Sequence, residues 1–278
     1  MTTYLLDISD HQAGLDLAKV KAQTYAGVTA RLLSYPNGGA PVVDPSYPTF
    51  LAAAKANHML FAAYVLFHTN VPVPTQVADA KAHIGDLTVP VMIDAEPDAP
   101  STPSFAFIVS CYDEIKRQGL VPGALYDPHW YWSGAEGSPN LTVRPWLLVS
   151  SSYGSNKVGY GSTEYASLGG DAGQGWNPYG GLTPSIWQFG SQIKLDGYNG
   201  PLDADAFRGS EAQLVSTGLF RNFAAPTPPP APKPPAPVPG VHSLNSPDGT
   251  HVLAMQNDGN LVIYHGSHPI WSSGTAGK

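Results

Sequence analysis

Asp94 and Glu96 close an apolar run, Val89-Pro90-Val91-Met92-Ile93-Asp94-Ala95-Glu96-Pro97. Side chains at i and i+2 of a strand share a face, roughly 6 to 7 Å apart, so these carboxylates would stand side by side at the end of a buried parallel strand. Asp203 and Asp205 repeat the spacing in Leu202-Asp203-Ala204-Asp205-Ala206-Phe207, and Asp7 ends the first apolar run, Leu5-Leu6-Asp7. Glycosidic-bond cleavage needs such a set. One carboxyl keeps a proton for the leaving oxygen, another stays ionised against positive charge at the anomeric carbon, and mutual repulsion raises one pKa. Solvated acids at strand ends would leave the same local pattern. Tyr126, Trp130, Tyr131, Trp132, Trp146, Tyr153, Trp176 and Trp187 supply flat rings on which pyranose faces stack, although each could equally belong to the core.

Elements that could gather these acids alternate along the chain. Apolar strands are expected at 5–9, 27–33, 60–67, 89–97, 123–126, 145–150 and 185–189, with helices at 15–23, 50–56, 75–87 and 103–118. Strand–helix alternation of this length predicts an α/β fold, an irregular β/α barrel with an antiparallel or helix-poor last third. Strand ends converge on one face of such a barrel. Nine prolines within residues 226–239 predict an extended spacer of roughly 40 Å at about 3.1 Å per residue. The expected domains are therefore a barrel over 1–224, a Pro-rich linker over 225–240 and a small all-β unit over 241–278.

Composition narrows the partners. Charged residues make up only 13% of the 278, and the net charge of -7 argues against an electrostatic grip on nucleic acid or anionic lipid. A neutral, sugar-like ligand fits better. The single Cys111, in Phe107-Ile108-Val109-Ser110-Cys111-Tyr112, excludes an intrachain disulfide and reads as a core thiol. No metal or other cofactor is expected; His242, His251, His265 and His268 follow no standard ligand spacing. The N-terminus lacks the pattern of a signal peptide, and no apolar run could span a bilayer, so synthesis in the cytoplasm without membrane insertion is expected.

Taken together, Asp7-x-Ser9-x-x-Gln12, Asp94-x-Glu96, Tyr126 with Trp130 and Trp132, Trp146, Tyr153, Trp187-Gln188-Phe189 and Leu202-Asp203-Ala204-Asp205-Ala206-Phe207 resemble the glycoside hydrolase family 25 lysozymes in order and spacing, over about residues 4–210. The resemblance implies a muramidase barrel that cleaves the β-1,4 bond between N-acetylmuramic acid and N-acetylglucosamine in peptidoglycan. It assigns Glu96 as general acid, Asp94 to the substrate's acetamido group or anomeric centre, and Asp7 and Asp203 to positioning sugar or water. Gln12, Tyr64, Tyr126, Trp130, Trp146, Tyr153, Trp187 and Asp205 would bind substrate. Two departures stand out: Ala30-Arg31-Leu32-Leu33-Ser34 where the family commonly has Lys-Ala-Thr-Glu-Gly, and Tyr64-Val65-Leu66 where it has Tyr-His-Phe, with His68 only later.

The last segment has a resemblance of its own. Gln256-Asn257-Asp258-Gly259-Asn260-Leu261-Val262-Ile263-Tyr264 is similar to the mannose-binding repeat of the bulb lectins, which implies sugar contacts from Gln256, Asp258, Asn260, Val262 and Tyr264. That family uses three repeats and this chain holds one. A unit of this size stabilises itself poorly, so a homotrimer through the repeat, or docking on the barrel, is expected. The combined expectation is a bacteriophage-type endolysin or virion-associated lysin acting at the bacterial wall, with a non-catalytic wall-binding protein as the alternative.

Overall fold

The computed structural model describes residues 1–154, 156–223 and 242–277. It divides into two compact units, Met1–Ala224 and Ala225–Lys278. The expected Pro-rich spacer lies outside the described residues.

The first unit is a closed barrel of eight strands: β1 (Thr3–Ile8), β2 (Tyr25–Ser34), β3 (Leu60–Leu66), β4 (Pro90–Asp94), β5 (Val121–Tyr126), β6 (Leu148–Ser151), β7 (Ile186–Gly190) and β8 (Asp203–Phe207). Strands β1 to β7 follow one another in parallel, and β8 closes the circle antiparallel to both β7 and β1. Of the barrel strands in the last third, expected to be antiparallel or helix-poor, β7 is still parallel and β8 alone is antiparallel. Gly27 lets β2 approach β3 closely, since a Cβ there would lie 2.5 Å from Leu60.

Helices α1 (Leu17–Ala22), α2 (Tyr47–Ala56), α3 (Val73–His83), α4 (Phe105–Arg117), α5 (His129–Gly134), α6 (Gly161–Ser167) and α7 (Glu211–Ser216) surround the strands. Helix α4 shows why. Ser104 caps its first turn by accepting from the Phe107 N–H, while Ile108, Cys111, Tyr112 and Ile115, at helical spacing, are all buried. Cys111 is a core thiol, and burial pushes its pKa up. Helix α3 ends four residues before the expected Leu87, where Gly85 turns the chain at φ 70°. The short α5 and α6 carry too few turns for their periodicity to be visible in sequence.

Two apolar layers result. Between strands and helices lies the larger core; inside the barrel a smaller one, including Leu5, Ala62, Met92, Ala124, Val149 and Ile186, is closed below by Leu219 and Phe220. No helix among the described residues is long and apolar enough to cross a membrane.

The second unit is an antiparallel meander of β9 (His242–Asn245), β10 (His251–Met255), β11 (Leu261–His265) and β12 (His268–Ser272). Its register aligns Leu244, Leu253, Ile263 and Trp271 across all four strands on one face. Leu244 is 71% and Trp271 51% exposed. The opposite face buries Ala254 and Val262.

Candidate active site at the carboxyl ends of the barrel strands

The barrel gathers what the sequence scatters. A cavity of about 80 Å³ opens among Asp7, Tyr64, Met92, Asp94, Glu96, Tyr126, Tyr153, Gln188 and Asp203. Asp7, Tyr64, Asp94, Tyr126 and Gln188 come from five parallel strands; Asp203 enters from the start of β8, which runs the opposite way and so presents its first residue at the same rim. Glu96 lies two residues past the end of β4. The Ala95 N–H still bonds the Tyr126 carbonyl at 3.0 Å, so the extended geometry continues and both acids reach the cavity.

The acids are electrostatically crowded. Burial, then Asp205, Asp203, Asp94 and Glu96, hold the Asp7 carboxyl well above its ordinary value. Burial and then Glu96 raise Asp94. Burial raises Glu96, and burial followed by Glu96 lifts Asp203 to about 6. The contacts of the two central acids distinguish them. Asp94 Oδ1 accepts the Glu96 N–H at 3.1 Å, and the Arg31 charge also favours its ionised form. Among the described residues Glu96 receives only the Tyr126 hydroxyl, at 3.4 Å, and that hydroxyl's single hydrogen has a closer acceptor in Gln188 Oε1 at 2.8 Å. Tyr153 donates to the same oxygen. Burial raises both carboxyls, while the Glu96 N–H and the Arg31 charge oppose the rise at Asp94 and the Tyr126 hydroxyl opposes it at Glu96; two crowded acids with different contacts are what acid-assisted departure of an alcohol or sugar can use.

The fold places several of the expected ligand residues outside the cavity. Trp146 is 3% exposed, packs edge-on against Phe105 and Tyr112, and donates its indole N–H to Leu141 at 2.7 Å. Trp187 is 1% exposed among Tyr165, Trp176 and Phe189. Trp187 is a core residue because an outward-pointing side chain of a barrel strand meets the helical layer, and Trp146 is one because the loop before β6 lays it against α4. Gln12 accepts the Ser9 N–H and donates to the Pro201 carbonyl, tying two rim loops together outside the cavity. Asp205 sits two residues deeper along β8, buried below Asp7, with one oxygen unpartnered. Burial, then Asp203, brings it to about 8, so it adds a neutral carboxyl under the site. Trp130 is 58% exposed and lies in a neighbouring pocket.

Both departures from the family pattern have structural partners. Arg31 forms ion pairs with Asp10 and, at 3.0 Å, with the buried Asp44, which also accepts the Asp10 N–H at 2.8 Å. His68 is buried away from the acids; its Nδ1 accepts the Asn70 N–H, and Gln76 holds its backbone. Sequence reasoning missed Gln188 as a cavity residue, although it lies inside the quoted Trp187-Gln188-Phe189 motif. It also missed a second buried acid pair. Both oxygens of Asp127 and both of Glu136 are buried without hydrogen-bond partners. Burial, then Glu136, raises Asp127 to about 8, and burial raises Glu136 to about 7.

In the second unit, Gln256 donates to the Tyr264 hydroxyl at 2.6 Å above the buried Val262. Asp258 accepts the Asn260 N–H in the turn, and Asn260 accepts from Ser273 and the Thr275 N–H. The structure thus brings Gln256, Val262 and Tyr264 together and uses Asn260 to hold the last turn. The rings of His251 and His265 lie 4.7 Å apart between centroids, tilted by 41°.

No protein-family model matches the sequence, and no curated protein matches it. Solved structures do. The lysozyme of Streptomyces coelicolor superposes with a TM-score of 0.62 at 16% identity, over 78% of this chain and 97% of that one. A glycoside hydrolase family 25 lysozyme from Aspergillus fumigatus gives 0.60 at 19%, over 78% and 99%. The catalytic domain of the endolysin ply40 from a Listeria monocytogenes bacteriophage, P40, gives 0.58 at 17%, over 79% and 98%. The fold of the first unit is the irregular β/α barrel of these lysozymes.

Proposed function

We propose that this protein is a peptidoglycan N-acetylmuramidase, cleaving the β-1,4 bond between N-acetylmuramic acid and N-acetylglucosamine. The observation that carries the reading is the pairing of Glu96 with Asp94 inside a ring of further acids, in a barrel shaped like those of lysozymes. Glu96 gives its proton to the leaving oxygen. Ionised Asp94 orients the 2-acetamido group or faces the developing charge at the anomeric carbon, while Asp7 and Asp203 position sugar and water. Tyr126, Tyr153 and Gln188 hold one another and keep the Glu96 side of the cavity rigid. The second unit would bind wall glycans through the surface around Gln256 and Tyr264, concentrating the enzyme on its substrate. A bacteriophage endolysin or virion-associated lysin, acting at the bacterial wall, is the role this combination serves.

The second reading is a wall-binding barrel without turnover. Its support is that Arg31, at one departure from the family pattern, is committed to Asp10 and Asp44. One experiment separates the two: release of reducing ends from purified peptidoglycan by wild type and by Glu96→Gln, with the products identified by mass. The muramidase reading expects reducing N-acetylmuramic acid ends and a loss of roughly 10²-fold or more in the variant. Binding without any cleavage by the wild type would leave the second reading standing.

A further inference from the structure

The second unit is short of core. Among its described residues Ala254 and Val262 are the buried apolar side chains, and the single cysteine, Cys111, belongs to the other unit, so no intrachain disulfide closes it. Units of this size usually need a disulfide, a metal or oligomerisation to hold their fold. The sheet register supplies donors that spacing along the chain conceals. His251 at the start of β10 stands opposite His265 at the end of β11, and His265 stands opposite His268 at the start of β12. Directly opposed residues of antiparallel strands share a face, so three imidazoles form one row across three strands, next to the row of Leu253, Ile263 and Trp271. His242 falls at the other end of the sheet, opposite Met255.

The ring geometry suits a shared ion. The His251 and His265 centroids are 4.7 Å apart. A zinc ion about 2.1 Å from one nitrogen of each of two imidazoles holds their centroids roughly 5 Å apart in tetrahedral geometry. His251 Nδ1 lies 2.7 Å from the Thr250 hydroxyl. With Nδ1 donating there, the Nε2 lone pair is left for a metal, and the hydroxyl fixes the ring as an outer partner does in metal sites. The Thr250 N–H is held in turn by Asp248 Oδ1 at 3.1 Å. All three histidines are exposed, so an ion reaches them from solvent. No three donors surround one point among the described residues; His251 and His265 make the chelate, and His268, across the turn Gly266-Ser267, brings a third nitrogen by side-chain rotation. We propose that the second unit binds a divalent transition-metal ion through His251 and His265, with His268 as third ligand, and that this ion staples β10, β11 and β12 together. Imidazole donors select zinc, copper or nickel over calcium and magnesium, which take oxygen ligands.

The test is titration of the full chain with zinc at neutral pH, followed through the imidazole ring resonances. Those of His251 and His265, assigned by their absence from His251→Gln and His265→Gln, are expected to shift and to saturate at one ion per chain. Thr250→Ala should weaken that affinity about ten-fold, the effect of removing an outer partner, and His265→Gln should abolish saturation at His251. With zinc at about a hundred times its dissociation constant, amides of β10 and β11 that exchange by opening of the unit should exchange about 100-fold more slowly by mass action, in the wild type and not in His265→Gln. Calcium in place of zinc should produce neither effect. A response at His251 and His265 no tighter than that of the exposed His83 on α3 would mean an adventitious ion only and overturns the site. Saturable binding that leaves the exchange of β10 and β11 unmoved overturns the staple.

Discussion

Asp127 is fully buried, with neither carboxyl oxygen hydrogen-bonded, and its pKa is pushed up to about 8. Between its unfolded value near 4 and about 8, the folded chain therefore holds a proton that the unfolded chain has released. The stabilisation is complete below about pH 4 and is lost as pH rises towards 8. In Asp127→Asn the carboxyl is gone and so is this dependence. The variant bears a pH-independent cost of about 1 to 3 kcal/mol for a buried carboxamide without partners. One proton per molecule changes stability by about 1.4 kcal/mol per pH unit, so between pH 5 and 7 the stability difference should move by about 2.7 kcal/mol in the variant's favour. Glu136 titrates in the same direction, but its rise comes from burial and is common to both proteins, so it cancels. Urea unfolding of both proteins at pH 5, 6 and 7 measures the difference directly. A difference constant to within about 0.5 kcal/mol over that range would refute the argument and mean that Asp127 is solvated or paired in solution.

Arg31→Met leaves the buried Asp44 without its counter-ion, held only by backbone N–H groups, and should destabilise by about 3 kcal/mol in urea unfolding. Because the Arg31 charge favours ionised Asp94, the acidic limb of the pH–rate profile should also move to higher pH; an unmoved limb would separate Arg31 from the site. Gly175→Ala forces a Cβ to within 2.2 Å of Trp187, and a loss of about 1 to 3 kcal/mol is expected, with tryptophan fluorescence reporting the displaced ring. The apolar row Leu244, Leu253, Ile263 and Trp271 is expected to be covered by other copies. Sedimentation of the wild type at micromolar concentration should give three chain masses and Trp271→Ser one, whereas a wild type of one chain mass removes the trimer.

Most of the barrel was legible because its strands are apolar runs bounded by Pro, Gly and acids, and because α4 and α2 are long enough to show helical spacing. The site was legible in its acids. Asp94 and Glu96 share a face by strand periodicity, which survives even though the pairing of β4 ends at Asp94. Asp205 has the same spacing from Asp203, yet it points down into the barrel, since depth along an inward face depends on where the strand enters the sheet. Nor could sequence sort the aromatics. Trp130 and Trp187 are the same residue type in equally aromatic stretches, but one sits on a short outer helix and is 58% exposed while the other lies on β7 and faces the helical layer.

What the sequence determined by itself was the alternation of elements, the identity of the carboxylates and the turn chemistry of the last unit, all set by contacts within a few residues. Only the tertiary structure decided that Gln188 anchors two tyrosines at the acids, that Arg31 is consumed by Asp10 and Asp44, that Asp127 is buried without a partner, and that residues 129–130 meet 174–177 around one pocket. Those outcomes depend on the register and closure of a barrel whose partners lie tens of residues apart, and a buried polar group takes its character from whichever of them arrives within hydrogen-bonding distance.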